Sequence, residues 1–269
     1  MIISTSEFFN EITINTGKQI LRSLCQFYKT GEKGIPKGFG TGFFIKISNK
    51  HFLITAAHVS DDKDIYILKD GSELRFAGKL TSVINEKREN DKFDFSFLEL
   101  DEQSIIIANE HFVFLEENIL LLNHSITDNI GKPQYFLCGF PSSKTTWKYK
   151  TDKIITDPFL FTTKTKELTK PIQDKGFVPE ANIVLDYDKE KILTFGSNMI
   201  LTGPDPYGIS GCPLWFFPRI LTDNYIPDSN NLVLPVKLIG IMIEYHKDEK
   251  IMVGTRIDYV INLINNNVA

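Results

Sequence analysis

The sequence predicts an all-β fold, and three observations carry that reading. Short apolar stretches recur along the chain after Gly17: Gly42–Ile47, Phe52–Ala57, Ile65–Leu68, Phe93–Leu100, Tyr135–Cys138, Ile183–Tyr187 and Val236–Ile243. Gly, Asn, Asp and Pro separate them, the punctuation expected of strands joined by turns. Apolar residues at helical spacing are read at the two ends of the chain. A length of 269 residues admits one large β domain or two modest ones around a sizeable core.

The elements follow in chain order. Ser4 with Glu7 three residues on is a capping-box pattern ahead of Phe8, Phe9 and Ile12, and predicts a short N-terminal helix. The seven apolar stretches are the candidate strands. Residues 140–182 are polar, rich in Lys and Thr and broken by Pro158, Pro171 and Pro179, which reads as long surface loops around one or two strands. A second loop follows Trp215 and runs through Pro218, Pro227 and Asp228 to Asn231. Asp258–Asn266 places Val260, Ile261, Leu263 and Ile264 at helical spacing and predicts a closing helix packed on the body.

Composition narrows the function classes. Apolar residues make up 42% and charged residues 24%, the balance of a globular chain. The net charge is −4 and no run of Lys and Arg could track a phosphate backbone, so nucleic acid is excluded as an expected partner. No apolar run approaches the length of a membrane span, and the opening residues lack the basic start of a secretion signal. Cys25, Cys138 and Cys212 are an odd number with no CxxC pair, which argues against a disulfide framework and a structural zinc site. No metal or cofactor is expected, and a reducing cytoplasm is the expected compartment.

Three segments supply the parts that acyl transfer needs: a nucleophile, a base, a group to orient the base, and donors for an oxyanion. Leu53-Ile54-Thr55-Ala56-Ala57-His58-Val59 is an apolar strand ending in small residues that let an imidazole lie against close-packed backbone. Phe93-Asp94-Phe95-Ser96-Phe97-Leu98-Glu99-Leu100 opens an alternating strand with Asp94, among aromatic residues that would keep its carboxylate dry. Tyr207-Gly208-Ile209-Ser210-Gly211-Cys212-Pro213-Leu214 flanks a serine with glycines, which allows a tight turn that exposes the hydroxyl and aims the Gly208 and Ser210 amides at one point.

These segments resemble the trypsin and chymotrypsin family of serine proteases, and more closely its bacterial trypsin-like branch that includes the HtrA-type proteases. Thr55-Ala56-Ala57-His58 resembles the histidine motif, Asp94 sits where the family has its Asp, and Gly208-Ile209-Ser210-Gly211-Cys212-Pro213 resembles the G-x-S-G-x-P serine motif. Gly40–Ile45, Cys138–Pro141, Leu238–Ile241 and Gly254–Ile257 resemble supporting segments, so the likeness spans about residues 37–266. The resemblance implies two six-stranded Greek-key β-barrels with the active site between them. It places an N-terminal helix and lead-in strand in 1–36, a first barrel in 37–125, a second barrel in 126–257 and a C-terminal helix in 258–269. It implies a triad of His58, Asp94 and Ser210, an oxyanion hole from the Gly208 and Ser210 amides, and a protein or peptide substrate cut through an acyl-enzyme. Because a histidine base works only when neutral, activity is expected to fall as pH drops through roughly 6 to 7.

Ile209 stands where zymogen members of the family carry an Asp, so no cleavage switch of that kind is expected; packing or a regulatory partner would hold the oxyanion loop. By the same resemblance, Ile243, Glu244 and Tyr245 border the pocket for the residue before the cut, with Pro204 near its base. Glu244 there favours a basic side chain, or Tyr245 narrows the pocket; strand alternation leaves the two open. His51, His111, His124 and His246 read as structural, and Cys25, Cys138 and Cys212 as buried small hydrophobes. The alternative to an endopeptidase is an inactive module of the same fold that holds a protein partner.

Overall fold

The structure, a computed structural model, describes residues 14–83, 91–126, 130, 134–148, 151, 153–194, 200–217 and 235–268. Two antiparallel sheets dominate it. The first contains β1 (Leu24–Thr30), β2 (Pro36–Ile47), β3 (Lys50–Ala56), β4 (Tyr66–Lys69), β5 (Ser72–Leu74), β6 (Gly78–Ser82) and β7 (Phe95–Leu100) in the order β5-β4-β1-β2-β3-β7-β6, with β8 (Leu115–Glu116) parallel to β2. Local chemistry sets its tightest turns. Ser48 and Asn49 (φ 49° and 66°) close β2 onto β3, and Asp70 and Gly71 (φ 51° and 83°) close β4 onto β5. Both are two-residue hairpin loops with positive φ at each central position, the form whose twist matches that of its strands.

After a separate hairpin and several loops, the second sheet repeats this plan. It contains β9 (Tyr135–Gly139), β12 (Phe159–Thr163), β13 (Asn182–Asp186), β14 (Ile192–Thr194), β15 (Ile200–Leu201), β16 (Pro213–Phe216), β17 (Lys237–His246) and β18 (Ile251–Arg256), ordered β13-β18-β17-β16-β9-β12-β14-β15. The separate hairpin is β10 (Thr145–Lys148) with β11 (Lys153–Thr156). Each sheet has eight segments, six of at least four residues and two of two or three. The expected six-stranded barrels are thus recognisable in the longer strands, and each sheet curls around an apolar interior.

Three apolar clusters fix where the cleft falls. Cys25, Phe27, Phe44, Leu53, Ile67 and Leu100 fill the first sheet's interior. Tyr135, Leu137, Phe161, Leu185, Leu214 and Met252 fill the second. A third cluster, with Phe43, Ile45, Phe52 and Phe97 from one sheet and Phe136, Trp215 and Leu238 from the other, cements the two back to back. Strand β2 therefore buries both faces: Phe43, Phe44 and Ile45 all have 0% exposure. The closing helix α5 (Ile257–Val268) joins the junction through Ile257, Val260, Ile261 and Ile264, a stripe at i, i+3, i+4 and i+7.

The remaining helices depart from the sequence expectation. The helix expected around Ser4–Ile12 lies outside the described residues, and the first described helix, α1, covers residues 14–21. The others are α2 (Ala57–Ser60), α3 (Glu102–His111) and α4 (Lys170–Gln173). Helix α3 was not anticipated because it buries only Ser104 and Ala108 and so leaves little apolar periodicity to read. Residues 140–182 hold β10, β11, β12 and α4, more structure than one or two strands among loops. Of the loop expected after Trp215, Trp215 and Phe216 end β16, and residues 218–234 lie outside the described residues.

Candidate active site

Strand β3 runs directly into α2 at Ala57, and this junction presents His58. Ala56 and Ala57, the small residues ahead of it, are fully buried. Asp94 holds the histidine through three of its atoms. Its Oδ2 lies 2.6 Å from His58 Nδ1, its Oδ1 accepts from the His58 amide at 2.9 Å, and its carbonyl accepts from the Ala57 amide at 2.9 Å. With Nδ1–H directed at a carboxylate, the lone pair of the neutral ring is on Nε2, the other side of the imidazole. The expectation that Asp94 opens a strand is corrected: it sits in the turn before β7 with φ +33°, a left-handed conformation that costs an L-residue roughly 1–2 kcal/mol.

The serine loop is arranged by its carbonyls. Tyr207 O accepts from Ser142 N at 2.8 Å and Ile209 O from Cys212 N at 2.9 Å. In a trans peptide the N–H opposes the C=O, so the Gly208 and Ser210 amides that follow these carbonyls face the other way. Among the described residues, neither amide is engaged in a hydrogen bond. Gly208 (φ +93°) and Gly211 (φ +89°) supply the left-handed backbone on either side of the serine. Thr41 locks the loop to the first sheet: its hydroxyl donates to Gly208 O at 2.8 Å and accepts from Phe140 N at 3.1 Å, while its amide donates to Ser210 O at 2.9 Å. Ile209 is fully buried in the second sheet's interior, which anchors the loop by packing.

His58, Asp94 and Ser210 line one cleft of about 460 Å³, together with Asp91, Asp205, Pro206, Tyr207, Met242, Ile243, Glu244 and Tyr245. The Ser210 hydroxyl makes no hydrogen bond to the imidazole among the described residues. Such contacts commonly tighten only when substrate is bound.

No protein-family model and no curated protein sequence matches the chain. Solved structures do. GrC superposes with a TM-score of 0.52 at 12% identity, covering 94% of this chain and 96% of its own. The VesB protease of Vibrio cholerae gives 0.51 at 13%, covering 92% of this chain and 64% of that one. The inactivated protease paralogue S-D1 of the scabies mite gives 0.50 at 13%, covering 94% of each. The chain has the chymotrypsin-like serine protease fold.

Within this chymotrypsin-like frame, strand β17 and the loop ahead of Ser210 form one wall of the cleft. A register shift between Met242 and Glu244 puts a bulge at Ile243. The bulge resolves the alternation: Ile243 is buried against Phe177 and Val253, Glu244 is exposed, and the Tyr245 ring stands edge-on to Tyr187 with centroids 5.4 Å apart. Glu244 and His246 then share a side, with Glu244 Oε2 3.6 Å from His246 Nε2. Asp205 and Pro206 line the cleft; the adjacent Pro204 is not among its lining residues, and its carbonyl accepts from Tyr187 Oη at 2.6 Å. Burial, then the neighbouring Tyr245 and Asp205, pushes the Tyr187 phenol above its usual range. Among the described residues that line the cleft there are four carboxylates (Asp91, Asp94, Asp205 and Glu244) and no Lys or Arg.

Sequence reasoning missed Asp91, Asp205, Thr41 and Tyr187. Of these, only Asp91 left a signal, an acidic residue three before Asp94 at a turn. The other histidines have structural surroundings: His51 packs edge-on to Phe114, His124 Nε2 lies 3.1 Å from Tyr135 Oη, and His246 Nδ1 lies 2.9 Å from Lys175 Nζ. His111 Nδ1 lies 3.5 Å from Asp70 Oδ2. Cys25, Cys138 and Cys212 are buried and free, with thiols pushed above their usual range by desolvation. Among the described residues no group of three or more His, Cys, Asp or Glu could hold a metal ion, and no helix is long and apolar enough to cross a membrane.

Proposed function

We propose that this chain is a serine endopeptidase. Ser210 Oγ attacks the scissile carbonyl carbon as its proton passes to His58 Nε2, and Asp94 stabilises the imidazolium at Nδ1. The negative charge that forms on the carbonyl oxygen is met by the Gly208 and Ser210 amides, a term worth roughly 3 kcal/mol for each donor. His58 returns the proton to the leaving amine as the C–N bond breaks, and water then releases the acyl group by the same steps. The observation that carries this reading is the pair of outward amides beside a serine that shares its cleft with a carboxylate-bound imidazole. The bacterial trypsin-like, HtrA-type motifs support placing the chain in that branch. The three buried free thiols support a reducing compartment such as the cytoplasm.

A fluorophosphonate probe tests the proposal, because it is captured only by an activated serine. Labelling of the wild type and loss of labelling in Ser210→Ala is the expected result. The second reading is a non-catalytic module that binds a protein segment in the cleft. The scabies mite neighbour, described as an inactivated protease, favours it. Under that reading neither form is labelled.

A further inference from the structure

We propose that Asp91 is a positioning residue that holds Asp94 in its productive orientation toward His58; this rests on the serine peptidase reading above. Asp91 is only 4% exposed and lines the cleft, yet the mechanism gives it no part. Its Oδ1 accepts from the Phe93 and Asp94 amides, each at 3.1 Å. A carboxylate that captures amides two and three residues ahead folds the chain into an Asx-type turn. That turn gives Asp94 its left-handed φ of +33°, and from it the carboxylate reaches both the ring and the amide of His58.

The second sheet grips the other side of the same turn. Asn182 Nδ2 donates to Lys92 O at 2.6 Å and Thr255 Oγ1 to Phe93 O at 2.5 Å. These bonds hold carbonyls and place the segment between the sheets. Asp91 holds the amides, and therefore sets the local twist. Without Oδ1 the Asp94 backbone loses the bonds that offset its left-handed strain, and relaxation to negative φ swings the carboxylate off the imidazole. The histidine then loses its fixed tautomer and direction, and a displacement near 1 Å is enough to cost about 100-fold in rate.

The test compares wild type with Asp91→Ala and Asp91→Asn. One readout needs no turnover: the far-downfield proton resonance of the short His58 Nδ1–H···Asp94 bond. The other is kcat and KM on an activated ester, with circular dichroism as the check on folding. In the alanine variant the resonance is expected to vanish and kcat to fall about 10- to 100-fold, with KM changed less than about twofold. The asparagine variant keeps an acceptor of the same shape; its resonance should persist and most of kcat should return. A folded alanine variant with wild-type resonance and kcat overturns the proposal. So does a folded asparagine variant that lacks the resonance and most of the wild-type kcat, a comparison with wild type that stands even if alanine does not fold. Absence of fluorophosphonate labelling in a wild type whose resonance depends on Asp91 defeats the enzyme reading alone.

Discussion

At Thr41 a single buried residue bridges the two sheets at the serine loop: its hydroxyl bonds Gly208 O and Phe140 N, and its backbone carbonyl accepts from the Thr55 hydroxyl at 2.7 Å. Substitution by the near-isosteric valine removes both hydroxyl bonds and leaves a buried carbonyl and a part-buried amide unmatched. Thr41→Val is expected to lower stability by about 1–3 kcal/mol in urea unfolding and to slow fluorophosphonate labelling, because the Gly208 peptide is free to turn. The pocket is argued at the same scale. Asp205 and Glu244 are the exposed carboxylates facing an open cleft, while the Tyr245 ring occupies space against Tyr187. A library of peptides should show preference for Lys or Arg before the cut, and the preference should weaken by about 1 kcal/mol or less per site in Asp205→Asn and Glu244→Gln, since both are exposed to screening. An unchanged profile in the double variant sinks the preference.

Helix α3 shows what a cap contributes where an apolar face is thin. Asp101 Oδ1 accepts from Ser104 N at 2.8 Å, and the bonds from the Ser104 amide and hydroxyl hold its carboxyl below the usual aspartate range. A depressed carboxyl stabilises the folded chain above its unfolded value, about 3.9, and that contribution is lost as pH falls through the lower folded value. The end of α3 should therefore fray earlier than the sheets in an acid titration followed by amide exchange, and Asp101→Asn should remove that pH dependence. Helix α5 is the opposite case. Its apolar stripe is buried in the junction cluster, so its stability follows tertiary packing rather than its cap.

For the molecule as a whole, the three cysteines report the integrity of three different regions. Cys25 lies in the first sheet's interior, Cys212 in the second's and Cys138 in the junction. With every thiol buried and its ionisation suppressed by desolvation, the native protein should resist alkylation at neutral pH, and all three should react once it unfolds. Rapid modification of one thiol in the native state would show a region less tightly closed than this packing requires. The same junction sets the candidate cleft, since His58 and Asp94 sit on the helix and turn attached to strands β3 and β7 of the first sheet, and Ser210 on a loop seated in the second. Loss of packing between the sheets would separate Ser210 from His58, the proposed nucleophile and base, without unfolding either interior.

Much of this was legible along the chain. Short apolar stretches and the turn residues between them named seven strands, because a run of apolar residues bounded by Gly, Asn, Asp and Pro is a local property. The residue types around positions 58, 94 and 210 pointed to acyl-transfer chemistry, because small residues and glycines constrain backbone wherever they stand. Tertiary structure decided the rest. The turn that carries Asp94 has a local acceptor in Asp91, but it is seated by donors on Asn182 and Thr255 that only folding brings to it. The bulge at Ile243 shifts every side chain after it by one place, so whether Glu244 or Tyr245 entered the pocket was undetermined until β17 paired with β18. A chain encodes periodicity locally; the direction in which a functional side chain finally points is set by partners far away in sequence.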